Sequence, residues 1–169
     1  MVSISIMMLV AAVILIRQDS FNGAVLLQSQ AYEVALATRE VQLNAVSASV
    51  IQGGTRQMLG LYFSTNASRN MRYRIFRDTQ NNGSYDPSEE YGQQPALDSP
   101  FEIKAIRVDG SNREDVTVMF ERPNFDAKFY NGAVQLAGSE VEVEIGPKGS
   151  SSSDRKTIVI TATGQITVR

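Results

Sequence analysis

The chain has 169 residues, enough for one globular domain together with a long helix. Its 16 Lys and Arg residues nearly balance its 18 Asp and Glu residues, so the net charge of −2 provides no general attraction to nucleic acid or acidic membranes. Since Cys and His are both absent, the sequence excludes disulfides, thiol nucleophiles, thiolate zinc sites and imidazole acid–base catalysis.

An uncharged, apolar segment opens the chain, running from Met1 to Ile16 with only Ser3 and Ser5 as polar interruptions. A bilayer-spanning helix needs about 20 apolar residues, with roughly 17 as the lower limit, so the segment as printed is slightly short. Three interpretations compete: a buried core helix, a cleaved secretory signal, and a membrane anchor that continues into the head. No basic residue precedes the segment and no small-x-small cleavage site follows it, so we prefer the anchor.

The helical pattern continues beyond the apolar segment and becomes amphipathic. One face recurs at steps of three and four: Leu27, Ala31, Val34, Ala35, Thr38, Val41, Gln42, Ala45 and Ala48. The opposite face carries Gln28, Gln30, Glu33, Arg39, Glu40 and Asn44. This pattern predicts a helix to about Gln52, stopped by Gly53 and Gly54, with a kink or an unwound turn at Asn22 and Gly23. Such a helix is about 75 Å long, and a small head covers only its second half.

The segments VSISIMMLVAAVILIRQ and AYEVALATREVQLNAVSAS together resemble the N-terminal helix of type IV pilins and type II secretion pseudopilins, particularly the minor pseudopilins. The resemblance implies a prepilin-type helix, an inner-membrane location with an extracytoplasmic head, and other pilin or pseudopilin subunits as partners. The family's basic leader ending in Gly, and the Phe-Thr-Leu-Ile-Glu-Leu stretch after it, have no counterpart here. We expect that Met1 is an internal position of the family helix, with about six or seven residues before it, which would complete a membrane span.

The orientation of the anchor stays open at the level of sequence, because it follows Lys and Arg near the helix ends. Arg17, after the apolar segment, is the nearest such residue, and by itself it favours the orientation opposite to that of a pilin. Translating the nucleotides upstream of Met1 would decide between a leader and a simple tether.

Short alternating runs replace the helical pattern after Gly54 and predict a β-rich head. The predicted strands are Leu59–Ser64, Met71–Arg77, Phe101–Val108, Val116–Phe120, Ala133–Leu136, Val141–Ile145, Thr157–Thr161 and Gln165–Val168. We therefore expect an α+β fold in which a long N-terminal helix (about 1–52) packs against an antiparallel sheet. Its parts are an apolar membrane or filament-core helix (1–23), an amphipathic helix on the head (24–54) and the head itself (55–169). VTVMFERPNFDAKF and KTIVITATGQITV also resemble the last β-hairpins of minor pseudopilins.

The segment DTQNNGSYDPSE, residues 78–89, matches the spacing of a 12-residue calcium loop. Its candidate ligands are oxygen donors, the type that Ca²⁺ prefers: Asp78, Gln80, Asn82, Ser84, Asp86 and Glu89, with Gly83 at the sharp turn. Gln80 and Pro87 depart from the pattern, and no flanking helices are predicted. The alternative is a turn rich in Asn, Asp and Gly without metal, which we prefer.

Two other patterns invite functional interpretations. Arg69, Arg72, Arg74 and Arg77 surround a predicted strand with aromatic residues between them, which would suit nucleic acid; a solvated strand face is the preferred alternative, and DNA binding stays open. GPKGSSSSDR (146–155) is predicted to be a solvated hairpin tip, because no base accompanies its serines and nothing indicates a Ser–Lys pair with Lys148 or Lys156.

The sequence therefore predicts a structural subunit, a minor pilin or pseudopilin, that assembles through its N-terminal helix. A membrane-tethered extracytoplasmic binding module, with calcium as its potential cofactor, is the alternative. We predict no enzyme, since nothing pairs the carboxylates into an acid–base dyad.

Overall fold

A computed structural model describes residues 2–47, 58–120, 124–149 and 154–169, with side chains of the first helix described at 6–8 and 22–47. Helix α1 spans Val2–Ser47, and its 46 residues give it a length of about 70 Å. The helix is continuous through Gly23, so the unwound turn predicted there does not occur. The predicted helix end at Gln52, with its stop at Gly53 and Gly54, lies outside the described residues.

Ten strands form the head. They are β1 (Met58–Ser64), β2 (Arg74–Asp78), β3 (Phe101–Val108), β4 (Ser111–Arg113), β5 (Asp115–Phe120), β6 (Ala127–Asn131), β7 (Val134–Leu136), β8 (Glu140–Pro147), β9 (Lys156–Thr161) and β10 (Ile166–Val168). All eight predicted strands are present, β3 with the predicted bounds and the other seven with shifted ones, and β4 and β6 are additional. A single-turn 3-10 helix, Pro87–Glu89, interrupts the connection from β2 to β3.

The boundary of β2 was predicted wrongly because the preceding turn is longer than its composition indicates. The carbonyl of Asn66 accepts from the backbone N–H groups of Arg69 and Asn70. The N–H of Arg72 donates to the carbonyl of Arg69. The chain therefore reaches Arg74 before it can join β1. Strand β4 was missed because its residues are polar and exposed. Its signal was the Asp109-Gly110 dipeptide, in which both residues have positive φ, as a two-residue hairpin turn requires.

The strands form two antiparallel sheets, where the sequence predicted one. The first sheet has the order β2-β1-β5-β6-β7 and the second the order β10-β9-β8-β3-β4. The two predicted hairpins occur as the neighbouring pairs β5–β6 and β9–β10. Ten strands in one open sheet would leave far more apolar surface than a single helix can cover, whereas two sheets bury their inner faces in one core with α1. The α+β class is thus confirmed, with a different division of its strands.

One continuous core contains side chains from α1 and from both sheets. The helix contributes the predicted face: Leu27, Ala31, Val34, Val41 and Ala45 are buried, as are the polar Thr38 and Gln42. Full burial of a side chain the size of Val or Leu contributes about 1.5–3 kcal/mol. This face therefore holds the second half of α1 firmly on the head.

Two glutamines join the helix to loops of the head. Gln42 is buried and its amide nitrogen donates to the carbonyls of Phe125 (2.8 Å) and Gly164 (2.9 Å). Gln30 was predicted on the solvent face, and this was wrong: it is buried, and its amide oxygen accepts from Asp98 N–H at 2.8 Å. A buried amide is tolerated there because it satisfies a backbone group that would otherwise lack a partner.

Candidate functional site

The loop 78–89 leaves β2 and folds over the outer face of the first sheet. That face carries a small hydrophobic cluster of Tyr62, Phe76 and Met119. Tyr85, from the loop, stacks on Tyr62 with ring centroids 4.7 Å apart and meets Phe76 edge-on at 5.6 Å. Burial, and the hydrogen bond that its hydroxyl donates to Glu90 (2.6 Å), raise the pKa of Tyr85 to about 12. The loop is therefore a packed part of the head.

Asp78, the first predicted ligand, fixes the sharp turn of this loop. Its carboxylate is fully buried; one oxygen accepts from Asn82 N–H (3.1 Å) and the other from Gly83 N–H (2.8 Å). Gly83 has a φ of 71°, and a Cβ there would overlap the ring of Tyr130. Only glycine suits this position, for both reasons.

Glu89, the last predicted ligand, closes the loop from its other end. It is 6% exposed, and its Oε1 accepts from Thr79 N–H (2.9 Å), Thr79 hydroxyl (2.5 Å) and Gln80 N–H (3.1 Å). Its Oε2 is buried and has no hydrogen-bond partner among the described residues. This oxygen is the one buried side-chain atom of the loop without a hydrogen-bond partner in the described parts of the chain, so it can accept a further donor or bind a cation.

The other four predicted ligands make local contacts. Asp86 accepts from the hydroxyl (2.6 Å) and the N–H (2.7 Å) of Ser88, which lower the pKa of its carboxyl, and it caps the 3-10 turn. Asn82 Oδ1 accepts from Ser84 N–H (2.8 Å), and Gln80 Oε1 accepts weakly from the Asn82 amide (3.5 Å). Within the described ranges, no three acidic side chains come together as a metal site. The loop has the contacts of the turn alternative, and calcium binding stays a prediction.

Addition of Ca²⁺ tests that prediction directly. If the loop binds calcium with an extracellular-type dissociation constant of about 10⁻⁴–10⁻³ M, 5 mM Ca²⁺ stabilises the head by about 1–2 kcal/mol. Thermal unfolding of the full chain in detergent, followed by tyrosine fluorescence, should then show a higher midpoint with Ca²⁺ than with chelator. Mg²⁺ is the ionic control, and an unchanged midpoint with Ca²⁺ would contradict the prediction.

The predicted arginine cluster does not form one solvated face. Arg69 donates to the Tyr62 hydroxyl (3.3 Å), Arg74 lies 3.7 Å from Glu90, and the Arg77 guanidinium lies over the Tyr91 ring at 4.3 Å. Strand β2 is covered on both sides. Phe76 is buried on the outer face of the sheet, and Ile75 packs against the main core on the inner face. The three guanidinium groups therefore make internal contacts, and DNA binding stays an untested hypothesis. Of the Ser-rich segment, residues 150–153 lie outside the described residues.

Helix α1 carries a second candidate site, an exposed apolar surface. Ile6, Met7 and Met8 are 59%, 76% and 73% exposed. Further along the helix, Val25, Leu26, Tyr32, Leu36 and Leu43 are also exposed. Over the described part of the chain, no helix is both long and apolar enough to cross a membrane.

Comparison with known proteins gives no family for this chain: no protein-family model, no curated protein and no solved structure matches it.

Proposed function

We propose that this chain is a structural subunit, a minor pilin or pseudopilin, of a type IV pilus, a competence pilus or a type II secretion system. It assembles through its N-terminal helix with other pilin or pseudopilin subunits. The head is extracytoplasmic, the helix anchors it in the inner membrane before assembly, and the assembly machinery is a further partner. The proposal assigns no catalytic step to the chain.

The exposed apolar start of α1 is the observation that carries the proposal. Ile6, Met7 and Met8 present large apolar side chains to solvent, whereas Leu27 is the first helix residue described as buried in the head. Some 20 residues separate Met7 from Leu27, which is about 30 Å along a helix. Surfaces of this kind on a protein mark contacts with other proteins or with lipid.

The coupling of α1 to the head supports the same proposal. The buried face from Leu27 to Ala45, together with the amide contacts of Gln30 and Gln42, fixes the second half of the helix against both sheets. Because the head is fixed to the second half of α1, the packing of the first half determines where the head lies. A filament subunit requires this coupling, since a packed bundle of helices then sets the spacing of the heads.

Single-cysteine cross-linking tests assembly through the helix, and the absence of Cys makes each engineered thiol unique. We expect Met7→Cys, in cells that make the filament, to give a cross-linked dimer with a short bis-maleimide, because one thiol per chain joins two chains. Val134→Cys is the matched control, because Val134 is an apolar residue of the head with similar exposure, 67%. Assembly through α1 predicts more cross-linked dimer for Met7→Cys than for Val134→Cys.

The outcome also addresses the alternative, a membrane-tethered extracytoplasmic binding module. If Met7→Cys gives no more cross-linking than Val134→Cys while the chain stays in the carbonate-washed membrane fraction, the tether is supported and the filament subunit is contradicted. A specific feature favours keeping this alternative: the acidic groove beside α1 described below.

A further inference from the structure

A groove of about 400 Å³ lies between α1 and the outer edge of the first sheet. The helix supplies Glu33, Leu36 and Glu40, and the sheet side supplies Tyr73, Ile75 and Tyr91. Its volume is at the lower end of the range for sites that hold small molecules or single side chains. The groove belongs to neither the 78–89 loop nor the exposed start of the helix.

The charge of the groove is negative. Glu33 and Glu40 are seven residues apart, so they lie on the same side of α1, about 10 Å apart along its axis. Both are exposed, and neither forms an ion pair with a described residue; Glu33 accepts only from the Gln30 amide at 3.3 Å. On the sheet side, the guanidinium of Arg77 lies over the Tyr91 ring, 4.3 Å from its centroid.

Tyr73 provides an independent indication of a ligand. Its side chain is 2% exposed, stacks on Phe63 at 5.9 Å and lines the groove. No side-chain hydrogen bond joins its hydroxyl to a described residue, so the groove is where this hydroxyl can find a partner. Burial, and the carboxylates of Glu33 and Glu40, raise the pKa of Tyr73, so the phenol stays protonated and its oxygen can accept from an N–H donor.

We propose that this groove binds a basic side chain, Arg or Lys, of a partner polypeptide. The cationic group lies between Glu33 and Glu40 and donates to the Tyr73 hydroxyl. Its aliphatic stem packs along Leu36 and Ile75, as the long side chains of Arg and Lys commonly do on apolar surface. Charge complementarity selects this occupant, because the two carboxylates attract a cation, do not attract a neutral side chain and repel an acidic one.

The occupant belongs to a polypeptide because the apolar surface continues beyond the groove. Leu43, 52% exposed, lies beyond the groove, three residues after Glu40, whereas Leu36, 68% exposed, belongs to the groove wall between the two carboxylates. An apolar residue next to the basic one can cover Leu43. The inference is independent of filament assembly, since it concerns the second half of α1 where it packs on the head and can be tested on the isolated full chain.

Peptide titration of the full chain in detergent tests the proposal, with the methyl NMR signals of Leu36 and Ile75 as reporters. We expect acetyl-Leu-Arg-Leu-amide to bind with a dissociation constant of about 1 mM or tighter, and at least fivefold more tightly than the free cation agmatine. The peptide with norleucine in place of Arg should bind at least tenfold more weakly. Equal binding of the Arg and norleucine peptides, or no shift of these methyl signals, would overturn the proposal.

Substitutions identify the groups responsible. The double variant Glu33→Gln, Glu40→Gln should weaken binding of the Arg peptide at least tenfold, and Tyr73→Phe about threefold, while Glu114→Gln, an exposed carboxylate on the head, should leave it unchanged. All four changes keep the size of the side chain, so the fold is retained. If agmatine binds more tightly than the peptide, the groove is a small-molecule site and the polypeptide assignment is wrong.

Discussion

Gly164→Ala is expected to lower the free energy of unfolding by about 3 kcal/mol, a large loss for one methyl group. Gly164 has a φ of 80°, which costs an alanine roughly 1 kcal/mol or more. A Cβ there would also overlap the carbonyl oxygen of Phe125 and come within 2.5 Å of the Gln42 amide nitrogen. Because that amide donates to both Phe125 and Gly164, relief of the overlap breaks one buried and one partly buried hydrogen bond, each contributing about 0.5–1.5 kcal/mol.

Gly132→Ala is the matched control for this substitution. Gly132 also has a positive φ, 56°, but nothing lies within 4 Å of a Cβ there. It should show the backbone cost alone, about 1 kcal/mol. Urea unfolding of the full chain in detergent, followed by the fluorescence of its tyrosines, measures both. Equal losses for the two variants would show that the contact of the helix with the β9–β10 turn contributes nothing.

Asp78→Ala is the second substitution with a large expected effect, also about 3 kcal/mol. The carboxylate is fully buried and accepts from the N–H groups of Asn82 and Gly83, and hydrogen bonds to charged groups contribute about 1.5–3 kcal/mol each without being additive. Its loss leaves the buried N–H of Gly83 and the partly buried N–H of Asn82 unpaired, and it frees the loop that holds Tyr85 over Tyr62 and Phe76.

Asp86→Ala is the control in the same loop, because Asp86 caps the exposed 3-10 turn and accepts only from Ser88. It should destabilise much less than Asp78→Ala in the same urea experiment. A second measurement separates local from global effects: near-ultraviolet circular dichroism of Asp78→Ala should lose tyrosine signal before the main transition. If the two variants unfold at the same urea concentration, Asp78 does not hold the loop.

The sequence was most informative about α1. Residues Leu27 to Ala45 repeat at helical spacing, and that spacing by itself places them on one face, because the geometry of a helix is local. Gln30 is the exception, since a polar residue at the edge of the apolar face is buried only if the head offers it a partner. Its partner, Asp98 N–H, is 68 residues away in the chain and cannot be read from the helix pattern.

In the loop 78–89 as well, the sequence predicted some features and only the structure showed others. The sequence located the sharp turn at Gly83 and singled out the two carboxylates, Asp78 and Glu89, that hold the loop in shape. The preferred turn interpretation implied local hydrogen bonds, but it did not say which carboxylate accepts from which backbone N–H group, because a spacing pattern for metal ligands and one for Asx-type turns select the same residue types.

By itself, then, the sequence determined the long helix, its buried face, the eight main strands and the absence of Cys and His chemistry, because these depend on composition and on local periodicity. The tertiary structure alone decided that the strands divide into two sheets around α1. It also decided that Glu33 and Glu40 of the helix meet Tyr73 of the head in one groove. Strand pairing, and the contact of distant residues in one groove, depend on which segments bury each other's apolar faces. A local residue pattern does not contain that information.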